Sequence, residues 1–131
     1  MTTHVLGASE VVARLGEWRP SDLAFIDAIM FTVDPEDGAA YVEMTSTWQS
    51  RRTQPKSWPS LAGPWTRVVM RFERVSRFRV TQPNSGRIQI MGFDIIDMRN
   101  DGLEGIRYQV CDVEDSRIAL FCEEIRVLSV A

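Results

Sequence analysis

Apolar and polar positions alternate with a period of two along most of the chain, from residue 23 to residue 130. Successive side chains of a β-strand point to opposite faces of a sheet, so this periodicity predicts strands. Turn residues interrupt the alternation at 34–38 and 82–86, which favours antiparallel hairpins over crossover helices. We therefore predict a mainly β fold (α+β at most): a twisted antiparallel meander of six to seven strands, curled or sandwich-like, with one short N-terminal helix.

The first alternating segment, 23–33, is apolar in both phases and is interrupted only by Asp27. This pattern is typical of a central strand that is covered on both faces. The turn at 34–38 and the alternating segment 41–48 predict a hairpin with it. A further strand starts at Thr66, and its phase shifts near 74–76, which indicates a β-bulge or a short turn.

The last third of the chain predicts one long strand and one hairpin. The long strand covers 87–98 and precedes Asn100-Asp101-Gly102, a type I′ turn signal. The hairpin combines 106–112 with 117–122. Its second arm is expected to continue through 125–130, with a bulge near Glu123 and Glu124.

A chain of 131 residues suits a single domain, residues 1–131. Residues 1–22 form a lead-in with a helix over 10–17 that Ser9 caps. Residues 49–65 hold three of the six prolines and two of the four tryptophans and predict a long loop. Such loops are often functional or mobile; alternatively, the tryptophans pin this one to the edge of the core.

Composition places the chain among ordinary globular proteins, with 44% hydrophobic and 25% charged residues. The N-terminus lacks the basic start and apolar run of a secretory signal, and no apolar run approaches the roughly 18 residues of a membrane span. We expect a soluble, cytoplasmic protein. Cys111 and Cys122 lie in apolar strand sequence and are expected to be reduced.

Charge is distributed in blocks that the net charge of −3 conceals. Residues 1–50 hold eight acids and two bases, 51–87 hold one acid and nine bases, and 88–131 hold nine acids and four bases. Basic central strands beside acidic neighbours would form cross-strand ion pairs. The alternative is a bipolar surface that steers a charged partner.

Catalytic and cofactor motifs are not recognisable in the sequence. His4 is the only histidine, so neither a Ser-His-Asp arrangement nor an ordinary zinc site is supported. No glycine-rich phosphate loop occurs. The sequence predicts a protein that is not an enzyme and holds no cofactor or metal.

Carboxylates are the remaining candidates for a site. They are Asp112, Glu114, Asp115, Glu123 and Glu124. Such groups contact a basic partner, bind a hard cation or act as an acid/base pair. A basic surface for nucleic acid is disfavoured, because the whole chain is acidic with a pI near 5.2.

Aromatic residues offer a second type of site, a small-molecule pocket on the concave face of the sheet. Its walls would be Trp48, Trp58, Trp65 and Phe93. Aromatic residues at strand spacing are also common in plain core.

The order of short patterns resembles small bacterial immunity proteins of polymorphic toxin systems and related uncharacterised domains. The patterns are Phe25-Ile26-Asp27-Ala28, Val68-Val69-Met70-Arg71-Phe72-Glu73-Arg74-Val75, Gly92-Phe93-Asp94-Ile95-Ile96-Asp97, Tyr108-Gln109-Val110-Cys111-Asp112-Val113-Glu114 and Leu120-Phe121-Cys122. The resemblance implies a cytosolic, non-enzymatic protein that neutralises a co-produced toxin by binding it. The expected partner is therefore a protein, and a homodimer is also compatible with the sequence.

Overall fold

Alternating apolar side chains build two antiparallel sheets around one hydrophobic core, which confirms the predicted mainly β fold. The computed structural model describes residues 5–52, 58–60, 63–82, 86, 88–90, 92–101, 105–112 and 117–131. Its strands are β1 (Leu23–Val33), β2 (Ala40–Trp48), β3 (Thr66–Glu73), β4 (Ser76–Val80), β5 (Ile88–Gln89), β6 (Phe93–Asp97), β7 (Tyr108–Asp112), β8 (Ile118–Cys122) and β9 (Glu124–Val130). The first sheet has the order β5-β1-β2-β3-β9, and the second has the order β4-β8-β7-β6.

The N-terminal helix, α1 (Ala8–Leu15), begins earlier than predicted. Gly7, and not Ser9, precedes its first residue, and Gly7 adopts φ +81°. A Cβ atom at Gly7 would lie 2.8 Å from the carbonyl oxygen of Val127 in β9. Glycine therefore allows both the left-handed backbone and the close approach of the helix to the sheet. Among the described residues, no helix is long and apolar enough to cross a membrane.

Strand β1 is buried only in its first part, so the prediction of a central strand covered on both faces is wrong. Met30, Phe31 and Val33 are 48%, 51% and 51% exposed. The neighbouring strand β5 pairs only with Phe25 and Ile26. The rest of β1 consequently lies at the margin of the first sheet, although its composition is that of a central strand.

The chain changes sheet at two places where the sequence indicated only a bulge or a short turn. Arg74 follows β3 with φ +54°, a left-handed conformation that turns the chain out of the first sheet. The chain returns at Glu123, after which β9 pairs with β3 and not with the second sheet. The predicted continuation of the hairpin arm through 125–130 is therefore wrong.

The segment predicted as one long strand over 87–98 is also divided between the sheets. Strand β5 pairs with β1, whereas β6 pairs with β7. A 3₁₀ turn over Arg99–Asp101 replaces the predicted type I′ turn, and Gly102 lies outside the described residues. The carboxylate of Asp97 accepts the backbone N–H of Arg99 at 2.9 Å and stabilises this turn.

Both predicted hairpins are confirmed. Strands β1 and β2 join through the turn at 34–38, and β7 pairs with β8. In the second hairpin, Cys111 is opposite Ala119 and Cys122 is opposite Tyr108, and both thiols are free. Burial raises the pKa of Cys122 to about 12.

A polar chain inside the core orients its largest side chain. Trp48 is fully buried, and its indole Nε1–H donates to the Ser46 hydroxyl at 2.9 Å. The Ser46 hydroxyl in turn donates to the carbonyl oxygen of Val68 at 2.9 Å. Because each buried polar group has a partner, the ring of Trp48 is fixed without an uncompensated desolvation cost.

Two leucines separate the core from the surface of the strands. Leu120 is 1% exposed and Leu128 is 43% exposed. Leu120→Ala should lower the free energy of unfolding by about 2–5 kcal/mol, through lost burial and a residual cavity. Leu128→Ala should cost less than about 1 kcal/mol. Urea denaturation of both variants measures the contrast, and equal losses would contradict this assignment of the core.

Candidate functional site

An open cleft of about 330 Å³ lies where the β1–β2 turn meets the end of β3 and the start of β9. Its walls are Asp34, Asp37, Ala39, Ala40, Tyr41, Arg71, Glu73, Arg74, Glu123 and Glu124. We call this set the acidic cleft, because five carboxylates face two guanidinium groups along it. Such an excess of negative charge attracts cationic groups.

Local hydrogen bonds shape the turn that forms one wall of the cleft. The carboxylate of Asp34 accepts the backbone N–H of Glu36 at 2.8 Å, and that of Asp37 accepts the N–H of Ala39 at 2.8 Å. Gly38 adopts φ +72°, and the turn closes with the N–H of Asp34 donating to the Ala39 carbonyl at 2.8 Å. Asp residues favour such turns because their side chains satisfy backbone donors two residues further on.

Arg71 is the most constrained side chain of the cleft. Its guanidinium lies 3.7 Å from the ring centroid of Tyr41. Its Nε donates to Glu73 Oε1 at 3.0 Å, and its Nη1 lies 3.5 Å from Glu43 Oε1. The hydrogen bond with Glu73 is the main reason that the pKa of Arg71 is raised above its usual value. In the ladder Tyr41 is opposite Glu73 and Glu43 is opposite Arg71, so the register itself brings these four side chains together.

The opposite wall carries two of the five acids that the sequence singled out. Glu123 Oε2 lies 3.4 Å from Arg74 Nε, and Glu124 Oε1 lies 2.7 Å from Arg126 Nη2. All four side chains are more than 40% exposed. Exposed ion pairs contribute little to stability, about 0–1 kcal/mol, so these carboxylates remain accessible to a competing cation.

The other three predicted acids do not join the cleft. Asp112 is 6% exposed, and its carboxylate accepts the backbone N–H of Ile118 at 3.1 Å. That contact closes the β7–β8 hairpin. Glu114 and Asp115 lie outside the described residues.

Sequence reasoning missed several residues of the cleft, among them Asp34, Asp37, Tyr41 and Glu73. The acids at 34–37 were recognised only as turn residues. Their convergence with Glu123 depends on long-range pairing, which no local pattern reports.

The four aromatic residues predicted as pocket walls have different neighbours. Trp48 is fully buried beside Trp18, with ring centroids 5.5 Å apart, and Phe93 is 2% exposed. The Trp65 ring contacts Phe25 at 5.8 Å, edge to face. The structure therefore assigns Trp48 and Phe93 to the core and leaves Trp58 and Trp65 near the surface.

The described ends of the 49–65 loop are fastened to the first sheet. The Gln49 side chain accepts the N–H of Ser60 at 2.6 Å and donates to the Ser60 carbonyl at 3.0 Å. The Trp58 indole donates to the Gln49 carbonyl at 2.7 Å, and the Arg51 guanidinium lies 3.5 Å from the Trp58 ring centroid. This arrangement agrees with the alternative in which a tryptophan pins the loop.

Asp22 is a buried carboxylate beneath that loop. It is 0% exposed, and its Oδ1 accepts the backbone N–H of Arg51 at 3.1 Å. Its Oδ2 has no hydrogen-bond partner among the described residues. Desolvation by burial raises the pKa of Asp22 above its usual value of 3.8.

Within the described ranges, no three His, Cys, Asp or Glu side chains are grouped so that they could hold a metal ion. No protein-family model, curated protein or solved structure matches the chain.

Replacing the carboxylate of Asp22 should change how stability depends on pH. The raised pKa means that the folded protein binds this proton more tightly than the unfolded chain does, so wild-type stability is lost as pH rises through the folded pKa. Asp22→Asn removes this loss while its amide oxygen can still accept the Arg51 N–H. The stability of the variant relative to wild type should therefore increase between acidic and neutral pH.

Thermal unfolding at a series of pH values measures this difference. Asp94→Asn, at an exposed position, is the control for removing one negative charge. If Asp22→Asn and Asp94→Asn give the same pH dependence, Asp22 is not the buried group described above.

Proposed function

We propose that the chain is a non-catalytic binding protein that neutralises a toxin in the cytoplasm by direct contact, and that the acidic cleft receives a basic segment of that toxin. The observation that carries the proposal is the convergence of five carboxylates, from three separate parts of the chain, on one open cleft. Glu123 and Glu124 belong to this set, in agreement with the role that the sequence suggested for them.

The composition of the cleft favours a protein partner. Tyr and Arg are enriched at the energetic centres of protein interfaces, and Tyr41 and Arg71 lie at the centre of the polar array described above. Their contacts with each other and with Glu73 restrict the side chains before a partner binds. Such preorganisation lowers the entropy that is lost on association.

Charge supports a basic segment as the group that is bound. A lysine or arginine side chain entering the cleft would meet the carboxylates of Asp37, Glu123 and Glu124. Complementary charge raises the rate of encounter more than the final affinity, and this effect weakens as salt increases.

Protection of cells is the direct test of this function. The protein encoded beside this chain's gene should be expressed alone and together with this chain. The proposal expects growth arrest in the first case and growth in the second, with the two proteins recovered as a complex. Growth arrest that this chain does not relieve, or a neighbouring protein that is harmless, would contradict it.

Neutralising the cleft should slow association with that neighbouring protein. In the double variant Glu123→Gln, Glu124→Gln, we expect the association rate constant to fall about three- to tenfold at low salt and to depend less on ionic strength. Surface plasmon resonance at several salt concentrations measures both effects.

The matched control is the double variant Glu10→Gln, Asp94→Asn, which removes the same charge at two exposed positions outside the cleft. An equal loss of rate in both double variants would show that net charge, and not the cleft, determines association.

A further inference from the structure

The margins of the two sheets are protected to different degrees. On β9, the N-terminal segment covers the free side: the N–H of Leu6 donates to the Ile125 carbonyl at 3.0 Å, and the N–H of Val127 donates to the Leu6 carbonyl at 2.7 Å. In the second sheet, β4 carries the exposed Arg77 and Arg79. Charges on an outer strand hinder pairing with another chain.

Strand β6, at the other margin of the second sheet, is also charged. It carries the exposed Asp94 and ends at Asp97, which pairs with Arg99. Charged side chains or a covering segment therefore protect three of the four outer strands.

Strand β1 is the exception. From Ala28 to Val33 it has a strand partner on one side only among the described residues, because β5 reaches no further than Ile26. These six residues contain no charge, and three of them are about half exposed. We call residues 28–33 the open margin. An outer strand that is long, apolar and uncharged is a template for adding another strand.

We propose that the open margin pairs with the same residues of a second copy of this chain, antiparallel and about a two-fold axis, so that the first sheets of the two copies join into one. The axis passes beside Met30 or Phe31, near the middle of the open margin. This proposal is independent of the toxin-binding function.

Symmetry supports a second copy as the occupant. In an antiparallel pair related by a two-fold axis, one residue is opposite its own copy, so all opposed residues differ by an even number of positions. The two acids that flank the open margin, Asp27 and Asp34, differ by seven positions and are therefore never opposite each other. Instead, Met30 faces Met30 or Phe31 faces Phe31 of the second copy, and apolar pairs of this kind are favourable across strands.

The charged outer strands would not pair in this way. Self-pairing of β4 about Phe78 would place Arg77 opposite Arg79 of the second copy, and like charges that are directly opposed are destabilising. The distribution of charge thus selects β1 for self-association.

The mass in solution tests the proposal with the unmodified chain. Sedimentation velocity over a range of protein concentrations should show a species of twice the 14.9 kDa chain mass that becomes more abundant as concentration rises. A chain that stays monomeric at every concentration would overturn the proposal, including the case in which β1 accepts only a different protein.

A charged side chain at the open margin should weaken this dimer. Met30→Lys places two ammonium groups close together across the axis, so the dimer dissociation constant should rise about tenfold or more. The matched control is Ile96→Lys, on outer strand β6, because Ile96 is 41% exposed and Met30 is 48% exposed. A dimer that Ile96→Lys weakens, and Met30→Lys does not, would place the contact on the second sheet and refute the proposal.

Hydrogen exchange provides a readout that does not depend on folding of a variant. Alternate backbone amides within 28–33 should exchange rapidly in dilute protein and slowly in concentrated protein, because their N–H groups become bonded to the second copy. Amides of β6 should exchange equally in both samples. A concentration-dependent dimer without added protection at 28–33 would rule out pairing through β1.

Discussion

Burial of one face of each sheet against the other is the interaction on which the rest of this structure depends. The first sheet contributes fully buried side chains such as Trp48 and Met70, and the second contributes Tyr108 and Leu120. Because side chains alternate along a strand, fixing these residues inward fixes their neighbours outward. The outward row of Tyr41, Glu43, Arg71 and Glu73 is thus a direct consequence of how the core is packed.

The acidic cleft forms where the covalent chain has to serve this two-layer arrangement. Arg74 is the point at which the chain leaves the first sheet, and Glu123 is the point at which it returns. The N–H of Glu123 donates to the Glu73 carbonyl at 3.0 Å, so the two crossings lie side by side. The β1–β2 turn ends at the same place. Three segments distant in sequence therefore bring their carboxylates to one location.

The open margin of β1 has a different origin. It results from the short β5, which covers only the beginning of β1 before the chain crosses to the second sheet. The cleft and the margin adjoin at Asp34, which follows the last residue of β1. A polar surface for a basic group and an apolar surface for strand addition consequently lie at the same end of the first sheet.

The sequence by itself determined the β class, both hairpins and the change of phase near Arg74, because alternation and turn residues act over a few neighbouring positions. It also singled out Glu123 and Glu124, but it grouped them with Asp112, which is buried. Only the tertiary structure decided that there are two sheets, that β1 lies at a margin, and that Asp34, Asp37 and Glu73 meet those two acids. The reason is physical: apolar alternation makes a strand favourable without specifying its neighbours, and the neighbours are selected by packing between residues that are distant along the chain.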